Sequence, residues 1–280
     1  MVARSTVPID PFVMAPPILD LAHRKDPAKE ECASSMSHPR TSVAQRSSAS
    51  ATLVLLAVAA TCWVTLWQAN STAAADMMVS LGPFLASWVL MMAAMMLPAV
   101  TPVVRLYDRA AAAGRVAPTG YFVLGYLAVW TASGLPAYLL WRAMSMPLMD
   151  AETWAMRAAG GTLLAAGVYQ VLPLKRACLR HCRSPMSHFL RQGLALNRPV
   201  AAARSGAMHG AYCFGCCVGL MIVLVAAAGM QPWLAAVLAG AIFVERNVRR
   251  GDLFSFLLAA TLIVMGGVIV IEPSLLSSFI

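Results

Sequence analysis

The sequence predicts an all-α fold, a polytopic transmembrane helix bundle of about seven spans, and three observations predict it. First, 60% of the 280 residues are hydrophobic and only 12% are charged, with a mean hydropathy of +0.71. A water-soluble domain is nearer half apolar and a quarter charged. Second, the apolar residues come in blocks, most of them about 16–23 residues long, the length that carries a helix across the ~30 Å hydrocarbon layer. Backbone polar groups are not left unpaired in lipid, so such blocks are helices. The period-two alternation of a β-barrel is missing. Third, lysine and arginine fall almost wholly on one side of the map that the blocks define.

Taken in order, residues 1–49 are polar, Pro- and Ser-bearing and of mixed charge, with no apolar run of the kind that directs secretion. They are expected to form a disordered cytosolic tail. His23, Cys32 and His38 are scattered through it and read as incidental. The helical domain is expected over residues 50–272, with spans at 51–67, 79–97, 121–141, 158–174, 207–228, 233–244 and 253–271. The second span is expected to stop at Pro98. The sixth is short, with Pro232 suited to its first turn. Residues 175–206 form a basic cytosolic loop.

With the N-terminus inside, the tail carries six Lys/Arg, the loop after span two Arg105, Arg109 and Arg115, the 175–206 loop seven more, and the segment after span six Arg246, Arg249 and Arg250. Only Arg142 and Arg157 fall outside. That asymmetry predicts an odd number of spans, with the N-terminus in and the C-terminus out. The net charge of +9 is therefore a property of membrane topology. Nucleic acid is not expected as a partner, because no basic residues interleave with aromatics on a soluble module. The lipid bilayer is.

The residues that could carry chemistry are sulfurs. On a helix, steps of three and four return to one face, which puts His209, Cys213, Cys216 and Cys217 together, with Met221 at the edge. In span two, Met91 and Met95 stack at i, i+4, and Met92 and Met96 do the same beside them. Cys178 and Cys182 form a third pair if their stretch is helical, with His181 between them. Thiolate and thioether are soft donors that suit Cu(I), with Zn(II) a competitor at the thiolates. Span two runs inward and span five outward, so Met95, Met96, His209 and Cys213 are expected at overlapping depths toward the cytosol, on neighbouring helices. Glu245, Tyr169 and Gln170 fall on the same side. Thiols that face the cytosol stay reduced.

Each feature has a plainer reading. Methionine fills irregular cores, and a single thiol packs as a small hydrophobe, which is the expectation for Cys62. Lys175 and Arg183 fit a role as topology determinants. Glu245 could pair with Arg246 or Arg249, or serve as a buried ligand.

Three ordered motifs carry a resemblance. The first is Trp88-x-x-Met91-Met92-x-Ala94-Met95-Met96-Leu97-Pro98-x-x-x-Pro102. The second is Gly167-x-Tyr169-Gln170-x-x-Pro173-Leu174-Lys175-x-x-Cys178-Leu179-x-x-Cys182-Arg183-x-Pro185. The third is Gly210-x-Tyr212-Cys213-x-Gly215-Cys216-Cys217, followed by Leu220-Met221 and Gly229-Met230. Over roughly 77–246 the chain resembles a family of bacterial predicted metal-binding integral membrane proteins, a domain of unknown function whose members are sometimes labelled copper chaperones. Two departures stand out: Val218 where a Trp is expected, and Glu245-Arg246 where Glu-Lys is expected. The resemblance implies a bacterial inner-membrane location and a metal role.

The expected function is binding of a soft metal ion, Cu(I), as chaperone, reservoir or translocator, with a metal-donor or metal-acceptor protein as partner. His209, Cys213, Cys216 and Cys217 are the expected core, Met91, Met92, Met95 and Met96 a relay, Cys178 and Cys182 a cytosolic docking pair, and Glu245 a further donor. Two other readings stay open, a thiol-redox membrane protein and a scaffold without ligand. An enzyme is not expected. There is no phosphate-binding loop, no Ser/His/Asp arrangement, and Asp76 and Asp150 lie in outer loops. Oligomeric state is left open.

Overall fold

The computed structural model describes residues 40–71, 80–150, 152–183, 196–227, 230–248 and 250–274. The expected tail lies outside these residues up to position 39. The chain divides into two compact units, Met1–Val43 and Ala44–Ile280, and the second is described here. Among the described residues the fold is all-helical, without a strand. The described residues hold nine α-helices in order: α1 Arg40–Ser71, α2 Leu81–Ala112, α3 Thr119–Ala132, α4 Gly134–Met149, α5 Thr153–Val171, α6 Pro173–Arg183, α7 Pro199–Ala226, α8 Pro232–Asn247 and α9 Gly251–Ile271.

Among the described residues five stretches are long and apolar enough to cross a membrane: Ala49–Ala69, Leu81–Ala112, Thr119–Met149, Pro199–Ala226 and Gly251–Ile271. The expected fourth and sixth spans fall on α5 and α8, which are not among them. At 16 residues, α8 is shorter than the roughly 20 that a perpendicular crossing needs. In α5, Arg157, Tyr169 and Gln170 dilute a run of small residues.

Proline shapes the helix ends in ways the sequence expectation missed. Pro98 does not stop span two; α2 continues to Ala112 with Pro98 and Pro102 inside it. A proline deletes one ladder bond, and a packed apolar setting tolerates that loss. The expected third span is instead two helices, α3 and α4, meeting at Ser133. Pro136 has no N–H to offer the Ala132 carbonyl four residues back. The Trp88 indole donates to the Trp130 carbonyl at 2.9 Å across this break. At the end of α5, Leu172 is extended (φ −65°, ψ 145°), as a residue before proline prefers. Pro173 then opens α6.

α2 supplies much of the buried core, with Phe84, Trp88, Met92, Met95, Met96 and Leu97 all at most 2% exposed. It packs against α3, α4 and α8. Two helix pairs are in intimate backbone contact, α3 with α7 and α5 with α9. A Cβ at Gly125 would collide with the Ala203 carbonyl, and one at Gly206 with the Phe122 carbonyl, so α3 and α7 approach this closely only because both positions are glycine. The expected neighbours, spans two and five, do not pair: α2 and α7 do not pack along each other, and α3 and α8 each touch both. The reason is volume. α2 presents tryptophan and methionine, whereas the glycine face of α7 admits a backbone.

Candidate metal centre

The face of α7 that carries Gly206 and Gly210 continues one and two turns on as Cys213 and Cys217. α3 therefore lies alongside the cysteines as it does the glycines. Tyr126, next to Gly125 in α3, places its hydroxyl 3.1 Å from Cys213 Sγ. A second glycine face, Gly215 and Gly219, admits α6 and α5. A Cβ at Gly215 would come within 2.8 Å of Cys178 Sγ, and one at Gly219 within 3.1 Å of the Tyr169 ring. The Tyr169 hydroxyl donates to the Gly215 carbonyl. These contacts seat α6, an amphipathic helix whose Lys175, Leu179 and Cys182 are buried while Arg176, Arg180 and His181 face outward.

The sulfurs of Cys213, Cys216 and Cys217 lie within 4.8 Å of one another, all buried. Cys216 Sγ is 3.4 Å from Cys217 Sγ, and its thiol donates to the Cys213 carbonyl at 3.1 Å. From α6, Cys182 Sγ approaches Cys216 Sγ at 3.9 Å. A metal held at about 2.3 Å from each sulfur needs sulfur separations of roughly 3.8–4.0 Å, so small rotamer changes suffice for this cluster to enclose an ion. None of the six described cysteines is in a disulfide. In α6 the two thiols are held in opposite directions. Burial raises Cys178, with the neighbouring Cys182 adding to it. The hydrogen bond with Cys216 lowers Cys182, and the Arg246 charge adds to this against the opposing effect of burial.

Arg246 is the residue that sequence reasoning missed. It is 6% exposed, and its guanidinium donates from Nη1 to Cys213 Sγ at 2.9 Å and from Nη2 to His209 Nε2 at 3.4 Å. Arginine has donors only, so Nε2 is the acceptor. A buried guanidinium calls for a counter-charge. The thiols of Cys213 and Cys182 are ionisable groups that its guanidinium reaches.

Glu245 is not brought to the thiols. Its carboxylate accepts from Lys175 Nζ at 2.8 Å through both oxygens, and Gln170 Nε2 donates to it at 3.2 Å. Lys175 is 1% exposed and also donates to Gln170. Its role is thus internal, where a topology determinant was expected. Arg183 Nε donates to the Glu245 main-chain carbonyl at 3.0 Å, and Nη1 pairs with Asp252 at 2.7 Å. A charged pair closing an apolar helix was visible in the sequence, but not which of its two members would face the sulfurs.

The remaining expected residues sort as follows. His209 is buried between aromatic rings of α3 and reaches Cys213 only through Arg246. Met91, Met92, Met95 and Met96 are buried in α2, which packs against α3, α4 and α8. Cys178 is partly buried against Gly215. His181 stacks on Tyr212, with ring centroids 4.2 Å apart, and does not join the cluster.

Residues 85–269 match the PpoB2 family model, described as copper chaperone. Neither the comparison with curated proteins nor that with solved structures returned a match. The match spans the motifs of α2, α5 to α7 and α8 that build the thiol cluster and its surroundings, and the chain belongs to this copper chaperone family.

Proposed function

We propose that the protein is an integral membrane carrier of Cu(I), taken as cargo by Cys213, Cys216 and Cys217, with Cys182 as a fourth sulfur from α6. The observation that carries this reading is the buried three-thiol cluster, its sulfurs within 4.8 Å of one another, in a chain of the copper chaperone family. Thiolates are soft donors and favour Cu(I) over harder ions. In this reading Cys182 and Cys178, on the α6 face of the bundle, are where a donor or acceptor protein exchanges copper. Met91, Met92, Met95 and Met96 line a separate apolar store. The protein works by binding and release, without catalysis.

The arrangement in the membrane is part of the proposal. α5 and α8 cross with the five longer stretches, giving seven spans, a cytosolic N-terminus and a bacterial inner membrane. The Lys/Arg asymmetry supports it. Reporter fusions at each loop test it, and a C-terminus on the cytosolic side would overturn it.

The test of the metal reading is copper per purified protein after anaerobic loading with Cu(I). We expect near-stoichiometric copper in wild type and at least a tenfold loss in the triple Cys213→Ser/Cys216→Ser/Cys217→Ser variant. Equal, near-zero loading in both would end it. The 3.9 Å approach of Cys182 to Cys216 across two helices favours a thiol-redox protein as the second reading. That reading requires a reversible Cys182–Cys216 disulfide in thiol-trapping experiments, and loses its support if trapping is unchanged by oxidant.

A further inference from the structure

A sulfur of the proposed site, Cys213 Sγ, and a nitrogen able to bind metal, His209 Nε2, both accept hydrogen bonds from one side chain, Arg246. An imidazole Nε2 has a single lone pair. While it accepts from the guanidinium it cannot bind a metal. The sulfur of Cys213 has lone pairs to spare, but a cation already lies against it. Arg246 thus occupies the position that a monovalent cation would take between the two donors.

We infer that Arg246 is a built-in stand-in for the cargo cation: loading moves its guanidinium off Cys213 and His209, and its return helps to expel the ion. This deepens the Cu(I) reading and rests on it.

The exchange balances without electron transfer. A metal–sulfur bond forms at Cys213 as the Nη1–H···S bond breaks, a metal–nitrogen bond can form at His209 as the Nη2–H···N bond breaks, and each thiol that binds as thiolate, Cys213 included, gives its proton to water. The clamp around the neighbouring residue makes this a side-chain motion. Glu245 is fixed through its carboxylate by Lys175 and through its carbonyl by Arg183, so the backbone of α8 at this point is held while the long Arg246 side chain can swing. A carrier needs such a competitor. Three thiolates alone bind Cu(I) as a sink, and a resident cation that returns to the sulfur makes release to an acceptor easier.

The experiment loads wild type, Arg246→Gln and Arg246→Lys with Cu(I), then titrates with a colorimetric Cu(I) chelator and follows the release rate. We expect Arg246→Gln to hold the same number of copper ions, but to need roughly tenfold more chelator for half-release, since one charge-assisted hydrogen bond is of that order. Its release should be correspondingly slower. Arg246→Lys, which keeps the cation, should stay near wild type. Unchanged stoichiometry with tighter retention is a combination that damaged packing does not produce. Weaker or unchanged retention in Arg246→Gln, with wild type loading normally, overturns the stand-in and leaves Arg246 as a fixed counter-ion or a packing residue. Failure of wild type to take up copper instead removes the metal reading itself, and this inference falls with it.

Discussion

Glu245 and Arg246 are consecutive, and a helix sends consecutive side chains about 100° apart. One therefore closes an ion pair with Lys175 while the other reaches Cys213. The two halves should respond differently to mutation. Removing one partner of a buried ion pair leaves an uncompensated charge and costs about 3–5 kcal/mol, whereas replacing both by apolar groups is near neutral. We predict that Glu245→Gln and Lys175→Met each lower stability by about that amount in chemical denaturation of the detergent-solubilised protein, with the Lys175→Met/Glu245→Leu double variant recovering most of the loss. Equal damage in the double variant would contradict an isolated pair. At this scale the sequence made the Cys213, Cys216, Cys217 face legible, because helical spacing alone puts those residues together. Arg246, Lys175 and Tyr126 were not legible. A basic residue near a span's end has a sufficient explanation in topology, and nothing in the local sequence of α3 says that a tyrosine will lie against a sulfur on α7.

Among the elements, the α3–α7 seam decides what lies against the thiols, since it brings the Tyr126 hydroxyl to Cys213. Gly125 and Gly206 are the two positions where a Cβ would strike the partner's backbone carbonyl. Forcing side chains into such a contact typically costs 1–3 kcal/mol and shifts backbone. We predict that Gly206→Val lowers both the thermal stability and the copper loading of the purified protein, by severalfold for loading. Gly240→Ala, where a Cβ meets nothing within 4 Å, should be neutral or slightly stabilising in the same assays. An undisturbed Gly206→Val variant would mean that the seam does not hold the site. Local sequence does not say which helix will use a glycine face, and α7 lies along α3 where α2 was the expected neighbour. Pro98 misled for a related reason: local rules end a helix at proline, whereas a packed apolar environment carries α2 two turns and more beyond it. The departure at Val218 also has a structural trace. Val218 lines an apolar cavity of about 230 Å³ with Trp88, Phe214 and Met221, a space that a larger side chain would fill.

At the level of the whole molecule, composition alone established an all-helical, strongly apolar bundle, and five stretches meet the length and hydropathy of a membrane crossing. The shorter α5 and α8 carry the polar machinery: Gln170 lies at the end of one, and Glu245 and Arg246 at the end of the other. These helices place charge beside sulfur in the interior of the bundle, which a set of uniformly apolar spans could not do. In the proposed function sulfur is the group that holds the cargo. X-ray absorption at the copper edge of the Cu(I)-loaded protein tests it most directly. The predicted result is a sulfur-dominated coordination shell at roughly 2.3 Å, lost in the triple serine variant. A shell of nitrogen and oxygen alone in the wild-type protein would contradict it.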